Sequence, residues 1–138
     1  HGADQVKEAI KSVRFVMQAE QKGTGHAVMM ADEYINDNDI LVLYGDTPLV
    51  SANKLKEMYE FHKNGDYGVT VLTADLDNPA GYGRIVRDAS NLIDSIIEDK
   101  DANPKEKQIR EINSGMYFFK GAELKRALKK LTNNNAQG

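Results

Sequence analysis

The sequence contains no cysteine and no tryptophan, and only three of its 138 residues are proline. The missing cysteines exclude a disulfide framework and a thiolate-liganded metal site, and they fit a cytoplasmic origin. No apolar run approaches the roughly 18 residues of a membrane-spanning helix. The net charge is −3 and the basic residues are dispersed, so no nucleic-acid-binding surface is indicated. The remaining composition, 41% hydrophobic and 28% charged, is typical of a globular domain.

Several catalytic motifs are missing as well. The sequence has no P-loop and no G-x-G-x-x-G motif. A nucleophilic triad is not expected, because cysteine is absent and no serine or histidine has a suitable setting. Structural positions are predicted for His26 and His62. A mixed-charge stretch in the second half is predicted to be solvated and without a functional role. Its acidic residues are Asp99, Asp101, Glu106 and Glu111.

The most informative stretch is residues 40–50, with the sequence ILVLYGDTPLV. A short apolar run that ends at Gly45 favours a strand buried on both faces of a parallel sheet. Asp46 follows where that strand stops, which is where open α/β sheets bind their ligands. Pro48 cannot donate to a β-ladder, so the chain is predicted to turn there. Taken alone, Asp46 is either a turn-capping residue or a ligand.

The first half of the chain alternates helical and strand-like segments. Residues 1–12 are weakly helical, 13–17 are strand-like, and a helix capped by Thr24 is predicted to extend to Tyr34. A strand at 40–43, a helix from Ser51 to about residue 64 and a strand at 68–76 follow. This β-α-β-α-β order is typical of a parallel sheet covered by helices.

The second half has a different pattern. A loop at 78–83 precedes two strands, 84–87 and 92–98, joined by a turn. A short charged helix is predicted to begin at Asn103-Pro104, followed by a strand at 112–119. A helix starts near Ala122, and its predicted buried stripe consists of Leu124, Ala127, Leu128 and Leu131.

Residues 18–26 link a predicted strand to a predicted helix and suit nucleotide binding. The Gln18 amide can pair with a base edge, and Gly23 permits close backbone approach. The same pattern also suits a plain strand-to-helix turn. Further along the chain, Asp46 alone can anchor Mg²⁺ only if phosphate oxygens and water complete the coordination shell of the ion. Glu98 is a second carboxylate at the end of a predicted strand.

Six segments occur in order and at suitable spacings along nearly the whole chain: QAEQKGTGHAV, LVLYGDTPL, NPAGYGRIVRD, IIEDKDA, EINSGMYFF and LTNNNAQG. Together they resemble the uridylyltransferase domain of the bacterial bifunctional N-acetylglucosamine-1-phosphate uridylyltransferase/glucosamine-1-phosphate acetyltransferase family. The wider family of sugar-1-phosphate nucleotidyltransferases shares the Gly-Asp strand end, whereas the EIN-(S/T)-G and LTNNNAQG segments indicate this member. The resemblance implies an α/β, Rossmann-like nucleotide-diphospho-sugar transferase fold.

The resemblance implies transfer of UMP from UTP to N-acetylglucosamine 1-phosphate, giving UDP-N-acetylglucosamine and pyrophosphate for peptidoglycan synthesis. Mg²⁺ is the implied cofactor, with Asp46 as its ligand. The implied uridine contacts are Gln18, Gly23 and Thr24. The implied strand-end residues around the nucleotide are Tyr44, Gly45 and Asp46. The implied contacts to the N-acetylglucosamine part are Gly83, Glu98 and Asn113.

The resemblance is incomplete in three respects. The family's glycine-rich loop of the form L-A-A-G-x-G-T-R-M, its second metal ligand (an asparagine beyond LTNNNAQG) and its β-helix acetyltransferase domain have no counterpart in this sequence. We therefore expect residues 1–138 to form a partial uridylyltransferase domain, truncated at both ends and lacking the first two strands of its sheet.

These differences lead to several expectations. The fragment is expected to be inactive alone and to self-associate through an exposed sheet edge. The intact parent is expected to be a cytoplasmic homotrimer with no nucleic-acid partner and no membrane span. One alternative is a related sugar-1-phosphate nucleotidyltransferase that uses another sugar or nucleotide. Another is a non-catalytic, self-associating fragment.

Overall fold

A computed structural model describes residues 3–46 and 49–131. The predicted turn at Thr47-Pro48 and all but the first residue of LTNNNAQG lie outside the described residues. The helices are α1 (Ala3–Ala9), α2 (Thr24–Met29), α3 (Ala52–Asn64) and α4 (Gly121–Leu128). The strands are β1 (Asp39–Val42), β2 (Val69–Asp75), β3 (Arg84–Arg87), β4 (Ile93–Ile97) and β5 (Glu111–Lys120). Two 3₁₀ turns cover Asp32–Tyr34 and Glu106–Gln108.

The long strand β5 organises the sheet. Its residues from Tyr117 to Phe119 pair with both β1 and β2, so these two strands lie on opposite edges of β5. Both pairings are antiparallel, and β1 and β2 therefore run parallel to each other without being neighbours. β3 joins β5 through Arg84 and Ile112 and forms the predicted antiparallel hairpin with β4.

The expectation of a β1 strand inside a parallel sheet is therefore wrong in its pairing. Every strand pairing within the described residues is antiparallel. The reason is that β5, the last strand along the chain, inserts between the two strands that the α3 crossover connects. The apolar pattern indicates that β1 is covered on both faces, but it does not specify which strand lies beside it. All four β1 residues are half-buried.

Helices cover both faces of the sheet, in agreement with the α/β expectation. On one face, Met58 and His62 of α3 are buried and the His62 ring stacks on Phe118, with 5.8 Å between centroids. On the other face, α2 and α4 pack together with the strands. The buried centre there is formed by Ile35, Leu124 and Leu128, surrounded by Val28, Ile40 and Phe119.

The predicted boundaries of α3 are confirmed by its capping geometry. The Lys54 backbone N–H donates to Ser51 Oγ at 3.2 Å, so Ser51 is the N-cap as expected. The helix ends at Asn64, and the Gly65 N–H donates to the Phe61 carbonyl. Within the described ranges, no helix combines the length and apolarity needed to cross a membrane.

The predicted strand at 13–17 does not form. The segment is unpaired, and its apolar side chains from Val13 to Met17 are 40–58% exposed. A β-branched and aromatic run becomes a strand only when a neighbouring strand completes its hydrogen bonds, and no described segment does so.

Three helical predictions need correction. The predicted helix from Thr24 to Tyr34 divides into α2 and a 3₁₀ turn, because Tyr34 N–H donates to the Ala31 carbonyl in the i→i+3 manner. The N-cap of α2 is Gly23, with φ of 91°, and Thr24 is the first helical residue. The charged helix after Asn103 is a 3₁₀ turn. In α4 only two residues of the predicted stripe are buried, whereas Ala127 and Leu131 are exposed.

His62 joins α3 to β1 and β2 and is 1% exposed. Its Nδ1 lies 2.9 Å from Thr70 Oγ1, and its Nε2 lies 3.8 Å from Asp39 Oδ1. Nε2 is buried and has no hydrogen-bond partner among the described residues. Burial lowers the pKa of His62; the Asp39 carboxylate opposes this shift, and Lys120 and Lys63 reinforce it. The predicted structural role of His62 agrees with this packing.

We expect His62 to lower the free energy of unfolding by about 1 kcal/mol between about pH 7 and about pH 5.5. Its pKa in the folded state lies below the unfolded value of 6.5, so the unfolded chain takes up the proton first as the pH falls. The contribution of neutral His62 is therefore complete above pH 6.5 and is lost below it. Urea unfolding at both pH values measures this change. A His62→Gln variant should be less stable near neutral pH and lose this pH dependence; an unchanged slope would contradict the assignment.

Candidate functional site

Gly83, Glu98 and Asn113 come together at one end of the sheet. Gly83 immediately precedes β3, Glu98 immediately follows β4, and Asn113 lies in β5. The Asn113 backbone N–H donates to the Gly83 carbonyl at 2.8 Å. A Cβ atom added to Gly83 would lie 3.4 Å from Glu98 Oε1 and 3.6 Å from Asn113 Cβ. The three residues assigned to the sugar by resemblance therefore lie close together, and Ile96 Cγ2, at 3.2 Å from the same Cβ position, also borders Gly83.

The orientation of the Asn113 amide is set within β5. Its Oδ1 accepts a hydrogen bond from the Gly115 backbone N–H at 2.9 Å. Tyr117 lies four residues further along the same strand. Burial raises the pKa of the Tyr117 phenol; the Asn113 amide opposes this rise, and the nearby Tyr44 and Glu98 add to it. A carboxylate, an amide and two phenols thus form one polar cluster.

An irregularity in β5 creates this arrangement. The register with β2 shifts between Val71 and Thr73, and Ser114 Oγ donates to the Leu72 carbonyl at 2.6 Å. Gly115 has φ of 78°, a value that side chains disfavour. A Cβ atom at Gly115 would lie only 1.9 Å from the Tyr44 ring. The glycine therefore lets Tyr44, which follows β1, approach the Asn113 side of β5.

The residues assigned to uridine occupy a second part of the site. Gln18 Nε2 donates to the Gly23 carbonyl at 3.0 Å and lies 3.0 Å from His26 Nδ1. This side chain closes the loop that leads into α2, where Thr24 is the first residue. Gln18 thereby supplies the partner that the sequence did not indicate for His26, which agrees with a structural role for that histidine.

An apolar cavity of about 470 Å³ lies between the two parts, beneath α2 and α4. Thr24 lines it at the α2 side, and Tyr44, Gly115 and Tyr117 line it at the sheet side. The remaining wall residues are aliphatic, aromatic or glycine: Gly25, Ala27, Val28, Val42, Leu43, Phe119, Leu124, Ala127, Leu128 and Leu131. The cavity connects the predicted nucleotide residues with the cluster around Asn113.

Gly45 and Asp46 lie in an exposed turn after β1, at the strand end where a ligand is expected. Over residues 3–46 and 49–131, no group of three or more histidine, aspartate or glutamate side chains could hold a metal ion. A single exposed carboxylate nevertheless fits Mg²⁺, which takes one or two protein carboxylates and keeps water and phosphate oxygens as its other ligands. Asp46 suits such a shared site, and no all-protein cage is required.

A buried arginine supports the loop before Gly83. Arg84 is 2% exposed, its Nη2 lies 2.8 Å from Asp99 Oδ1, and its Nη1 donates to the Tyr82 carbonyl. The Gly81 backbone N–H holds the pKa of Asp99 below its usual value, and the Arg84 guanidinium acts in the same direction. The sequence-based prediction that Asp99 is merely solvated is wrong, since it pairs with this buried cation.

The prediction that Glu111 is merely solvated is also wrong. Both of its carboxylate oxygens accept from Arg87, at 2.8 Å and 2.6 Å. Arg87 is chiefly responsible for holding the pKa of Glu111 below its usual value. This pair ties β3 to β5 near Asn113. The sequence places both arginines in the predicted strand at 84–87 but does not indicate their partners.

Comparison with known proteins places the chain in a family. Residues 3–138 match the family model described as nucleotidyl transferase. Two similar curated proteins are named bifunctional protein GlmU. The one from Clostridioides difficile is 54% identical over 140 residues, and the one from Alkaliphilus oremlandii is 53% identical over 138 residues. These alignments cover 100% and 99% of this chain, respectively, but the chain spans only 30% of each relative.

Solved structures show the same fold. A Bacillus anthracis chain described as a glucose-1-phosphate thymidylyltransferase has a TM-score of 0.72 at 21% identity, covering 99% of this chain and 55% of its own. A UDP-glucose pyrophosphorylase complexed with UDP-glucose has a TM-score of 0.65 at 19% identity, covering 96% of this chain and 56% of its own. The predicted nucleotidyltransferase fold is thereby confirmed. The chain belongs to the nucleotidyl transferase family, and it aligns with a segment of bifunctional GlmU proteins.

Proposed function

We propose that the protein to which this chain belongs transfers UMP from UTP to N-acetylglucosamine 1-phosphate, releasing pyrophosphate. The observation that carries this proposal is the convergence of Gly83, Glu98 and Asn113 next to the cavity. These residues belong to or adjoin three different strands, and they are the ones that sequence resemblance assigns to the sugar. A carboxylate and an oriented amide are suited to the hydroxyl and acetamido groups of such a substrate.

In this proposal the sugar-phosphate oxygen attacks the α-phosphorus of UTP directly. Such a transfer depends mainly on positioning the reactants and on neutralising developing charge. Mg²⁺, when bound through Asp46, supplies part of that neutralisation. Glu98 and Asn113 orient the sugar, while the Gln18 loop and Thr24 hold the uridine. The reacting groups thereby meet near the exposed end of β1.

A related enzyme with a different sugar or nucleotide is the second candidate, because the structural neighbours are described as acting in thymidylyl transfer and UDP-glucose chemistry. The polar pair Glu98 and Asn113 favours a sugar with an extra hydrogen-bonding substituent. For the isolated 138-residue chain we propose binding without turnover, because a shared metal site at Asp46 needs further ligands, and the described part of the chain offers no group of three or more acidic or histidine side chains that could supply them. Self-association of the chain is part of the same proposal.

Calorimetric titration of UDP-N-acetylglucosamine, in the presence of Mg²⁺, tests the proposed function. We expect UDP-N-acetylglucosamine to bind more tightly than UDP-glucose or dTDP-glucose. We expect Asn113→Ala to lower the affinity for UDP-N-acetylglucosamine about tenfold, which corresponds to the loss of one or two hydrogen bonds. Asn53→Ala, on the exposed side of α3, is the matched control and should leave affinity unchanged. Equal affinity for all three sugar nucleotides would contradict the proposed substrate. Pyrophosphate release by the isolated chain would contradict its inactivity.

A further inference from the structure

The irregularity in β5 lies opposite Leu72 of β2 and directly beside Asn113. Val71 pairs with Tyr117 and Thr73 pairs with Asn113, so three residues of β5 face Leu72 alone. Extra residues in one strand interrupt the ladder, and the backbone groups there need other hydrogen-bond partners. Because Asn113 is one of the residues assigned to the sugar, whatever holds the irregularity in place also bears on sugar recognition.

The hydroxyl of Ser114 holds this irregularity. Ser114 Oγ donates to the Leu72 carbonyl at 2.6 Å, so a side chain supplies a cross-strand bond where the ladder is interrupted. The same oxygen accepts from the Met116 backbone N–H at 3.3 Å. One hydroxyl can form both bonds because it has one donor and two acceptor positions. Ser114 is thereby fastened to the neighbouring strand and to the residue on the far side of Gly115.

The Gly115 peptide connects the Ser114 bridge to the Asn113 amide. The Gly115 N–H donates to Asn113 Oδ1 at 2.9 Å, and Gly115 has φ of 78°. Because glycine is conformationally permissive, its own backbone preferences do not hold that N–H in one direction. The direction depends on the peptide between Ser114 and Gly115, which the two bonds of the serine hydroxyl restrain on both sides.

We propose that Ser114 is a positioning residue for sugar recognition. Its hydroxyl fixes the Gly115 peptide, which in turn orients the Asn113 amide for the sugar part of the ligand. This inference rests on the proposed function. Ser114 acts through Asn113 and makes no contribution to the uridine contacts at Gln18 and Thr24, which belong to another loop. An amide that is held loosely has to be ordered at each binding event, and this ordering lowers the affinity.

A role of Ser114 in stability alone makes a different prediction. If the hydroxyl only joined β2 to β5, Ser114→Ala would lower the free energy of unfolding, and the folded protein would bind every ligand as before. If the hydroxyl orients Asn113, the folded variant binds a sugar nucleotide more weakly and the bare nucleotide equally well. Ser114→Thr keeps a hydroxyl on the same Cβ atom and should preserve binding. Ser114→Cys, which keeps the size but forms weaker hydrogen bonds, takes the place of the alanine variant if that variant does not fold.

The test compares UDP-N-acetylglucosamine with UDP, which share the nucleotide and differ in the sugar. For Ser114→Ala we expect calorimetric titration to show about fivefold weaker binding of UDP-N-acetylglucosamine, the scale of one neutral hydrogen bond, and unchanged binding of UDP. In an Asn113→Ala background, Ser114→Ala should cause no further loss, because the group that it positions is gone. The matched control is Ser90→Ala, which removes an exposed hydroxyl from the turn between β3 and β4 and should leave both affinities unchanged.

Amide hydrogen exchange provides a readout that does not depend on affinity. The Gly115 N–H should exchange faster in Ser114→Ala, because its bond to Asn113 Oδ1 is no longer held, and at the unsubstituted rate in Ser114→Thr and Ser90→Ala. Unchanged exchange at Gly115 in Ser114→Ala, or exchange that is faster throughout the sheet, would overturn the inference.

The binding results distinguish this inference from the proposed function. Unsubstituted affinity for UDP-N-acetylglucosamine in Ser114→Ala would overturn the role of Ser114 and leave the proposed function standing. Equal weakening of UDP binding would indicate a general structural role and would likewise overturn only the inference. Failure of the unsubstituted chain to bind UDP-N-acetylglucosamine would overturn both.

Discussion

Replacing Arg84 with alanine should lower the free energy of unfolding by about 3 kcal/mol. Arg84 is 2% exposed, so truncation removes a long packed side chain and leaves a cavity that its neighbours fill only in part. The change also takes away the cation that pairs with Asp99 and the donor to the Tyr82 carbonyl. Denaturant unfolding of the variant and the unsubstituted chain under the same conditions measures the difference.

The matched control is Arg110→Ala. Arg110 also forms an ion pair, with Asp77 at 2.6 Å, but its side chain is 57% exposed and that of Asp77 is 97% exposed. A pair in water is stabilised weakly, so this variant should lose less than about 1 kcal/mol. Comparable losses of unfolding free energy in the two variants would show that burial does not determine how much Arg84 contributes to stability.

The Arg84 variant should also weaken binding of UDP-N-acetylglucosamine. The guanidinium joins the Tyr82 carbonyl to Asp99, and Asp99 in turn accepts from the Gly81 backbone. Gly83 is adjacent in sequence to Arg84, and Glu98 is adjacent in sequence to Asp99. Loss of the arginine therefore loosens two of the three residues assigned to the sugar, and the binding loss should exceed that of Arg110→Ala.

The sequence predicted the local features of the fold well, because they depend on local chemistry. Ser51 caps α3 as expected, since a serine before an amphipathic segment satisfies the free backbone N–H groups at a helix start. The hairpin of β3 and β4 was predicted from two strand-like segments joined by a turn. The strand before Asp46 was recognised from its apolar run and the glycine that ends it.

The pairing of strands was not predictable from those signals. β5 inserts between β1 and β2, and nothing in the three apolar patterns specifies that order. The segment at 13–17 has strand-like residues, but strand formation requires a partner that no described residue provides. Both of these wrong predictions concern contacts between distant parts of the chain.

The candidate site shows the same division between local and long-range information. Gly83, Glu98 and Asn113 were named from the resemblance, and the structure places them together. Tyr117 was missed because its place in the cavity wall depends on how β5 pairs with β1 and β2, which the sequence does not indicate. The pair of Arg84 and Asp99 was missed because a charged residue fifteen positions away gives no sequence signal of contact.

Asp46→Ala should reduce pyrophosphate release by the intact parent protein about 100-fold, the scale expected for removing one group that stabilises developing charge. Asp46 is an exposed carboxylate in the turn after β1, where it can reach a metal that the phosphates of the substrate also hold. Without it, the metal would lose one of its protein ligands. The variant should therefore need a higher Mg²⁺ concentration for half-maximal activity, which a titration of the rate against Mg²⁺ measures.

Binding measurements on the 138-residue chain separate this metal role from a turn-capping role. If Asp46 holds Mg²⁺, adding Mg²⁺ should tighten binding of UDP-N-acetylglucosamine to the unsubstituted chain and have much less effect on Asp46→Ala. Asp37→Ala is the matched control, because Asp37 is an exposed aspartate just before β1, at the opposite end of the strand. A turn-capping Asp46 would instead lower thermal stability in the variant and leave the Mg²⁺ dependence as it is. That result would remove Asp46 from the metal site, since a carboxylate that binds the ion cannot be lost without changing how binding responds to the ion.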